Sequence, residues 1–293
     1  MGSLMSRRSR ADGDGLNGRR ILITGGARGI GAALGRRLHR RGARVGLLGL
    51  EPDLLATVAA DCGAAPWQHC DVADRHQVDH AVGEIVAALG GLDVAVANAG
   101  VGAQLTLVNG DHTIMERTLA VNTVGVYYTV AAVGPHVSHA GGYVLITSSA
   151  AAGLHLPLMG AYCASKAAVE ALGDCLRIEL RASGARVGVA YFAEIDTDMT
   201  SRGMRTRAAS HLDPSGLFTR VAPLAAAVGS LERGIDRRAR RIYTPGWVGR
   251  VLPLRMVAQR AVELHFRNGV EEALRVARDE HADLTTAQPE RAP

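Results

Sequence analysis

Tyr162 and Lys166 stand four residues apart, in a stretch over 162–180 that reads as helix. At that spacing two side chains share one helical face. The chain carries 33 Lys and Arg side chains, and Lys166 is the single lysine among them. An ammonium is a compact point charge whose pKa shifts readily, whereas a guanidinium is a fixed fork. A cation beside a phenol favours the phenolate and lowers its pKa from about 10 toward working pH. Tyr162 is thereby a candidate general acid or base, with Lys166 as the group that tunes it. The pair also fits a half-buried tyrosine beside a solvated lysine, so the rest of the chain must decide.

The elements that would position such a pair begin near the N-terminus. An apolar run over 21–23 is followed by Thr24, Gly25, Gly26, Ala27, Arg28, Gly29, Ile30 and Gly31. A helical pattern then continues to Arg41 and ends at Gly42. Strand, Gly-rich turn and helix together make a phosphate seat. Gly25 permits the tight turn, Gly29 lets the backbone approach a pyrophosphate, and Gly31 lets helix and strand pack closely. The helix N-terminus adds N–H groups and partial positive charge.

A second strand over 44–48 leads to Gly49, Leu50 and Glu51. An acid closing this strand accepts ribose hydroxyls and marks NAD, whereas an arginine nearby marks NADP. Gly49 is neither. Glu51 is the nearest acid and Arg28 the arginine in the Gly loop, so NAD and NADP both stay open. A third strand over 67–70 ends at Asp71 and Val72, where Asp71 could accept from an adenine amino group or serve as a loop carboxylate. The near-continuous apolar run over 92–97 reads as a central parallel strand buried on both faces. It closes in Asn98, Ala99 and Gly100, at the carboxyl edge where such sheets bind ligands.

A long helical reading over 112–139 is interrupted by Asn122, whose amide needs a partner on an apolar face. A fifth strand over 143–147 precedes Ser148 and Ser149. The sixth strand, 186–191, leads to Ile195 and Thr197. The segment 200–218 lacks periodicity and reads as a mobile loop or lid. A helix over 223–238, a short strand over 241–244 and one or two tail helices over 248–284 complete the chain. The alternation specifies an α/β fold: one doubly wound parallel sheet of about seven strands with helices on both faces. It divides into a disordered arm over 1–18, a domain over 19–246 and a helical extension over 247–293.

Composition removes several function classes. With 47% hydrophobic and 21% charged residues, the 293-residue chain can bury a core and is not globally disordered. A net charge of +5 could suggest nucleic acid, but the arginines are scattered and only three Phe and two Trp are available for stacking. Cys62, Cys70, Cys163 and Cys175 have no zinc spacing and read as reduced thiols in a cytoplasmic protein without a metal. No apolar run reaches the roughly 18 residues of a membrane span. The basic tail reads as packing on the domain edge or on another subunit, in preference to a membrane surface.

In order along the chain, the segment Thr24 to Gly31, Asp71, Asn98-Ala99-Gly100, Asn122, Ser149 and the Tyr162/Lys166 pair resemble the short-chain dehydrogenase/reductase superfamily. The compact single-domain branch carries TGxxxGxG and YxxxK motifs. Ser149 lies thirteen residues before Tyr162, the spacing usual in that family, and Ser148 fits less well. The resemblance implies a Rossmann-type fold and NAD(P)-dependent interconversion of a secondary alcohol and a ketone by hydride transfer. It implies that Tyr162 moves the alcohol proton, that Lys166 lowers the Tyr162 pKa and holds the nicotinamide ribose, and that Ser149 donates to the substrate oxygen. Asn122 would hold a water linking Lys166 to solvent. Gly25, Arg28, Gly29, Ile30, Gly31, Asp71, Val72, Asn98, Gly100, Tyr162, Lys166, Ile195 and Thr197 would contact the cofactor. The family usually has Pro-Gly where this chain has Phe192-Ala193. Leu154, His155, Leu156 and the 200–218 loop would line a pocket for an apolar small molecule. The resemblance further implies a homodimer or homotetramer formed through the helices that carry Asn122 and Tyr162. The alternative on the same fold is a catalytically silent nucleotide-binding or regulatory protein.

Overall fold

The computed structural model describes residues 15–204, 206–212 and 221–280, together with 284, 288 and 289; of 202–204 only the backbone is described. The strands are β1 (Arg20–Thr24), β2 (Arg44–Gly49), β3 (Trp67–His69), β4 (Val94–Ala97), β5 (Tyr143–Ser149), β6 (Arg186–Phe192) and β7 (Arg241–Thr244). They form one seven-stranded parallel sheet in the order β3-β2-β1-β4-β5-β6-β7.

The helices between them are α1 (Gly29–Arg40), α2 (Pro52–Asp61), α3 (Arg75–Leu89), α4 (His112–Leu119), α5 (Gly125–Val137) and α6 (Gly160–Glu179). After β6 come α7 (Arg207–Leu212) and α8 (Leu224–Arg237), and after β7 come α9 (Val248–Val251), α10 (Arg255–His265) and α11 (Val270–Asp279).

Two apolar layers sandwich the sheet, and strand alternation assigns residues to them. Ile21, Ile23, Val94, Val96, Tyr143 and Leu145 face α1, α2 and α8. Leu22, Ala95, Ala97, Val144 and Ile146 face α3, α5 and α6. Both faces are buried, which is why the central strands read as continuous apolar runs. A smaller cluster joins α7, α10 and α11, through Ala208, Leu212, Val262, Phe266 and Ala273, to Leu158 of the main domain.

The elements depart from the sequence expectations in the arm, the long helix, the lid and the tail. Of the segment 1–18 assigned to a disordered arm, residues 1–14 lie outside the described residues, while Leu16 is buried in the core beside α1. The long helix over 112–139 is broken into α4 and α5 by a π-helical turn, Ala120–Val124. The lid over 200–218 includes a π-helical turn, Met199–Met204, and α7; residues 205 and 213–218 lie outside the described residues. Among its described residues the tail forms three α-helices, more than the one or two expected.

Gly188, in the middle of β6, shows how tightly the sheet is filled. Tyr143 is fully buried on β5, and its hydroxyl donates to the Ala239 carbonyl at 2.7 Å. A Cβ at position 188 would overlap that hydroxyl and the same carbonyl. Gly188→Ala is therefore expected to cost on the order of 1–3 kcal/mol through overpacking. A lower urea midpoint with unchanged slope would show it, and an unchanged midpoint would refute the packing described.

Candidate active site

The strand order reverses direction between β1 and β4, and the crevice opens there, beyond their carboxyl ends. Thr24, the last residue of β1, closes its floor. Its hydroxyl accepts from the backbone N–H groups of Asn98 at 3.0 Å and Ala99 at 3.1 Å, and the Asn98 side-chain amide donates back to the Thr24 carbonyl at 3.1 Å. The Gly turn folds against this tie. Gly25 has φ +67°, and a Cβ on it would lie 2.9 Å from the Ala99 Cα. A Cβ on Gly31 would overlap the Gly25 carbonyl, so α1 starts as close to β1 as the backbone allows. The N-terminus of α1 thus meets the crevice without a side chain in the way, which fits a pyrophosphate.

A cavity of about 350 Å³ runs along this edge. One wall includes Gly25, Arg28, Gly29 and Ile30, then Asp71, Val72, Asn98 and Gly100. Ser149, Tyr162, Lys166, Ile195 and Thr197 line it further along. Gly31 and Asn122 do not line it and stand behind its wall. His155 is also outside the cavity: its backbone N–H donates to Gln259 at 2.8 Å and its carbonyl accepts from the same amide at 3.2 Å. Leu154 and Leu156, on either side of it, do face the cavity.

Ser149 ends β5, with its hydroxyl donating to the Phe192 carbonyl at 3.1 Å and accepting from the Ala151 N–H at 3.1 Å. Ser148 instead donates to the Lys166 carbonyl at 2.9 Å and fastens β5 to α6. Lys166 is buried, its Nζ donating to the Thr147 carbonyl at 3.1 Å and lying 5.4 Å from the centre of the Tyr162 ring. The phenol is not depressed as the sequence suggested. Burial pushes it up to about 12, and the Ser149 hydroxyl pulls the other way. Burial also lowers the Lys166 ammonium to about 8. Desolvation disfavours the charged form of each.

Asn122 sits inside the π-helical turn and is fully buried. Its carbonyl oxygen accepts from the Val101 N–H at 2.8 Å, while its amide nitrogen donates to the Val101 carbonyl at 2.9 Å and the Ser165 hydroxyl at 3.0 Å. The side chain therefore pins the loop after β4 to α6 and does not reach Lys166 directly. Where Pro-Gly was expected, the Ala193 N–H donates to the Thr244 carbonyl at 2.9 Å and carries the sheet pairing one residue past β6. The Thr197 hydroxyl donates to the Ile195 carbonyl at 3.3 Å.

Two ion-pair systems at the cofactor side were not apparent in the sequence. Arg28 donates through Nε to Glu51 at 2.7 Å, makes a second bond to the same carboxylate, and donates through Nη1 to Asp198 at 2.8 Å. Asp71 accepts from Arg117 at 2.8 Å, and Arg117 also donates to Gln288 at 2.8 Å. The partners lie far apart along the chain, so no local spacing announces them. Among the described residues no group of His, Cys, Asp and Glu could hold a metal.

The family model described as short chain dehydrogenase matches residues 19–208. The chain belongs to the short chain dehydrogenase family. It is an NAD(P)-dependent oxidoreductase acting on CH–OH groups. The D-threitol dehydrogenase of Mycolicibacterium smegmatis is 32% identical over 220 residues, covering 72% of this chain and 85% of that one. The (+)-borneol dehydrogenase 1 of Salvia officinalis is 34% identical over 178 residues, covering 58% of this chain and 67% of that one. Among solved structures, a short chain dehydrogenase/reductase from Burkholderia phymatum in complex with NAD shares the fold, with a TM-score of 0.72 at 23% identity over 85% of this short-chain dehydrogenase and 95% of that chain.

The buried ammonium separates stability from catalysis. Its folded pKa lies below the ordinary lysine value, so stability rises with pH between about 8 and 10.5, where the unfolded chain binds more protons. Lys166→Met is expected to raise the denaturation midpoint at pH 7 and to lose that advantage near pH 10. Urea titrations at both pH values test it; a variant less stable at pH 7 would contradict the desolvation account.

Proposed function

We propose that this enzyme uses NAD to interconvert an apolar secondary alcohol and its ketone, with Tyr162 as the general acid/base. The observation that carries the reading is the shared wall of Ser149, Tyr162 and Lys166 in one cavity whose other end is the Gly turn of α1. When bound, the nicotinamide supplies the hydride acceptor or donor. In alcohol oxidation, Tyr162 takes the hydroxyl proton as the substrate carbon loses its hydride. In ketone reduction Tyr162 returns that proton. Ser149 donates to the substrate oxygen as negative charge develops there. The Lys166 ammonium favours the phenolate against burial and holds the nicotinamide ribose. With the Asn122 amide engaged, any relay water at that position falls to its main-chain carbonyl.

The arrangement around Arg28 supports NAD over NADP. Its guanidinium is shared between Glu51 and Asp198, two carboxylates against one cation. A 2′-phosphate on the adenosine ribose would compete with both, whereas a free ribose hydroxyl can donate to Glu51. Beyond the acid/base group the cavity is bordered by Leu154, Leu156, Met159, Leu212, Val262 and Phe266. Of the two relatives described, one is named for a polyol and the other for a terpenoid alcohol; this lining supports a substrate of the second kind. Val124, Tyr127 and Ile178 leave apolar side chains exposed beside Asn122 and on α6, which supports association through those helices.

Tyr162→Phe is expected to lower turnover by a factor on the order of 10² or more while NADH still binds, as read by nicotinamide fluorescence. Near-normal turnover would remove Tyr162 from the mechanism. Loss of turnover in the parent enzyme across apolar alcohols and ketones, with tight cofactor binding, would favour a silent nucleotide-binding protein. Separate titrations with NADH and NADPH test the cofactor. Glu51→Gln should release Arg28 and shift preference toward NADPH by about ten-fold or more; an unchanged ratio would place cofactor selection elsewhere.

A further inference from the structure

Helix α10 has two apolar sides, and only one of them is used by the fold. Val262 and Phe266, at its end, turn inward to border the cavity. The helix is fixed in that orientation. Arg255 donates to Glu170 of α6 at 3.1 Å, and Gln259 exchanges two hydrogen bonds with His155. Its other side is exposed: Met256 at 82%, Val257 at 72% and Leu264 at 71%, with Leu254 at 64% just before it. At helical spacing, 256, 257, 260, 261 and 264 form one outward stripe. Charge accompanies this stripe. Arg250, Arg260 and Arg267 are exposed and have no ion pair among the described residues, and Glu263 is the single acid between Trp247 and Asn268.

We propose that the outer side of α10 docks on an anionic lipid bilayer surface. A stripe of apolar side chains with Arg260 among them and Arg250 and Arg267 at its ends buries the apolar groups at the headgroup boundary while the guanidinium groups reach lipid phosphates. A second copy fits less well, because a two-fold contact would bring the same arginines together around the stripe. Trp247 joins the docking side to the cavity: it borders the cavity and is 40% exposed. An amphipathic ring of this kind suits the membrane interface. Docking would therefore set the mouth of the cavity against the phase in which an apolar alcohol dissolves. That last link rests on the substrate reading above; the docking does not.

The test is flotation of the full chain with vesicles of phosphatidylcholine containing phosphatidylglycerol, and with phosphatidylcholine vesicles alone. The chain is expected to float with the anionic vesicles, less with the neutral ones, and less again as salt rises. Met256→Glu/Val257→Glu/Leu264→Glu should cut the bound fraction by about ten-fold or more, with NADH binding unchanged. Should that variant fail to fold, Arg260→Glu/Arg267→Glu should abolish the preference for anionic lipid. Absence of binding to both vesicle types overturns the proposal, as does equal flotation of the variants. A variant that instead splits a parent oligomer, by light scattering, would reassign the stripe to a contact between copies. NADH binding in the same samples reports on the catalytic reading separately.

Discussion

The Thr24 hydroxyl is the bond on which the site depends. It accepts two backbone N–H groups from the end of β4 and so holds together the two strands from which the sheet is wound in opposite directions. The Gly turn can approach the crevice only because that floor is fixed, and the loop carrying Gly100 and Val101 leaves β4 from the same place. Val101 is then held by Asn122, Asn122 by Ser165, and the Ser165 hydroxyl donates back to the Tyr162 carbonyl at 2.7 Å. Hydrogen bonds and the short backbone run from Ala99 to Val101 thus connect the Gly turn to the main chain of Tyr162. None of these bonds is a charged pair, so their geometry is insensitive to salt.

Where the site is most reactive it works against the fold. A half-buried phenol and a buried ammonium without a carboxylate partner are both displaced toward their neutral forms. At neutral pH only the ammonium is costly for the folded chain, since the phenol is neutral there whether the chain is folded or not. The same burial gives the pair its use. A charge that develops there is felt strongly because little water screens it.

Much of this was legible in the sequence. The alternation of apolar runs and amphipathic stretches fixes the parallel sheet, and the Gly turn is local, so its residues read directly. Tyr162 and Lys166 are legible because helical spacing puts them on one face, whereas Ser149 is legible only through the family resemblance, whose spacing to Tyr162 it matches. The remainder is long-range or cooperative. The π-helical turn around Asn122 has no signature of its own: Val, Asn and Thr weaken an ordinary helix, but nothing in them specifies a π-helical turn in place of a loop. The sign of the Tyr162 shift depends on how deeply α6 is buried, which local spacing does not encode. Arg28 reaches across 170 positions to Asp198, and its role as a bridge emerges only on folding. His155 was misplaced because its neighbours, Leu154 and Leu156, are apolar and it shares their segment; the backbone there turns toward α10 instead.

Arg28 belongs to the Gly turn before α1, while Asp198 opens the segment that runs into α7 beside the cavity. One guanidinium shared by two loops makes their positions interdependent. A ligand that moves Arg28 changes what holds the segment over the other half of the crevice. By thermodynamic reciprocity, whatever factor the first ligand imposes on the affinity of the second, the second returns to the first. A ligand at either half-site of this dehydrogenase that shifts Arg28 would therefore be coupled in affinity to the other half-site, whichever binds first.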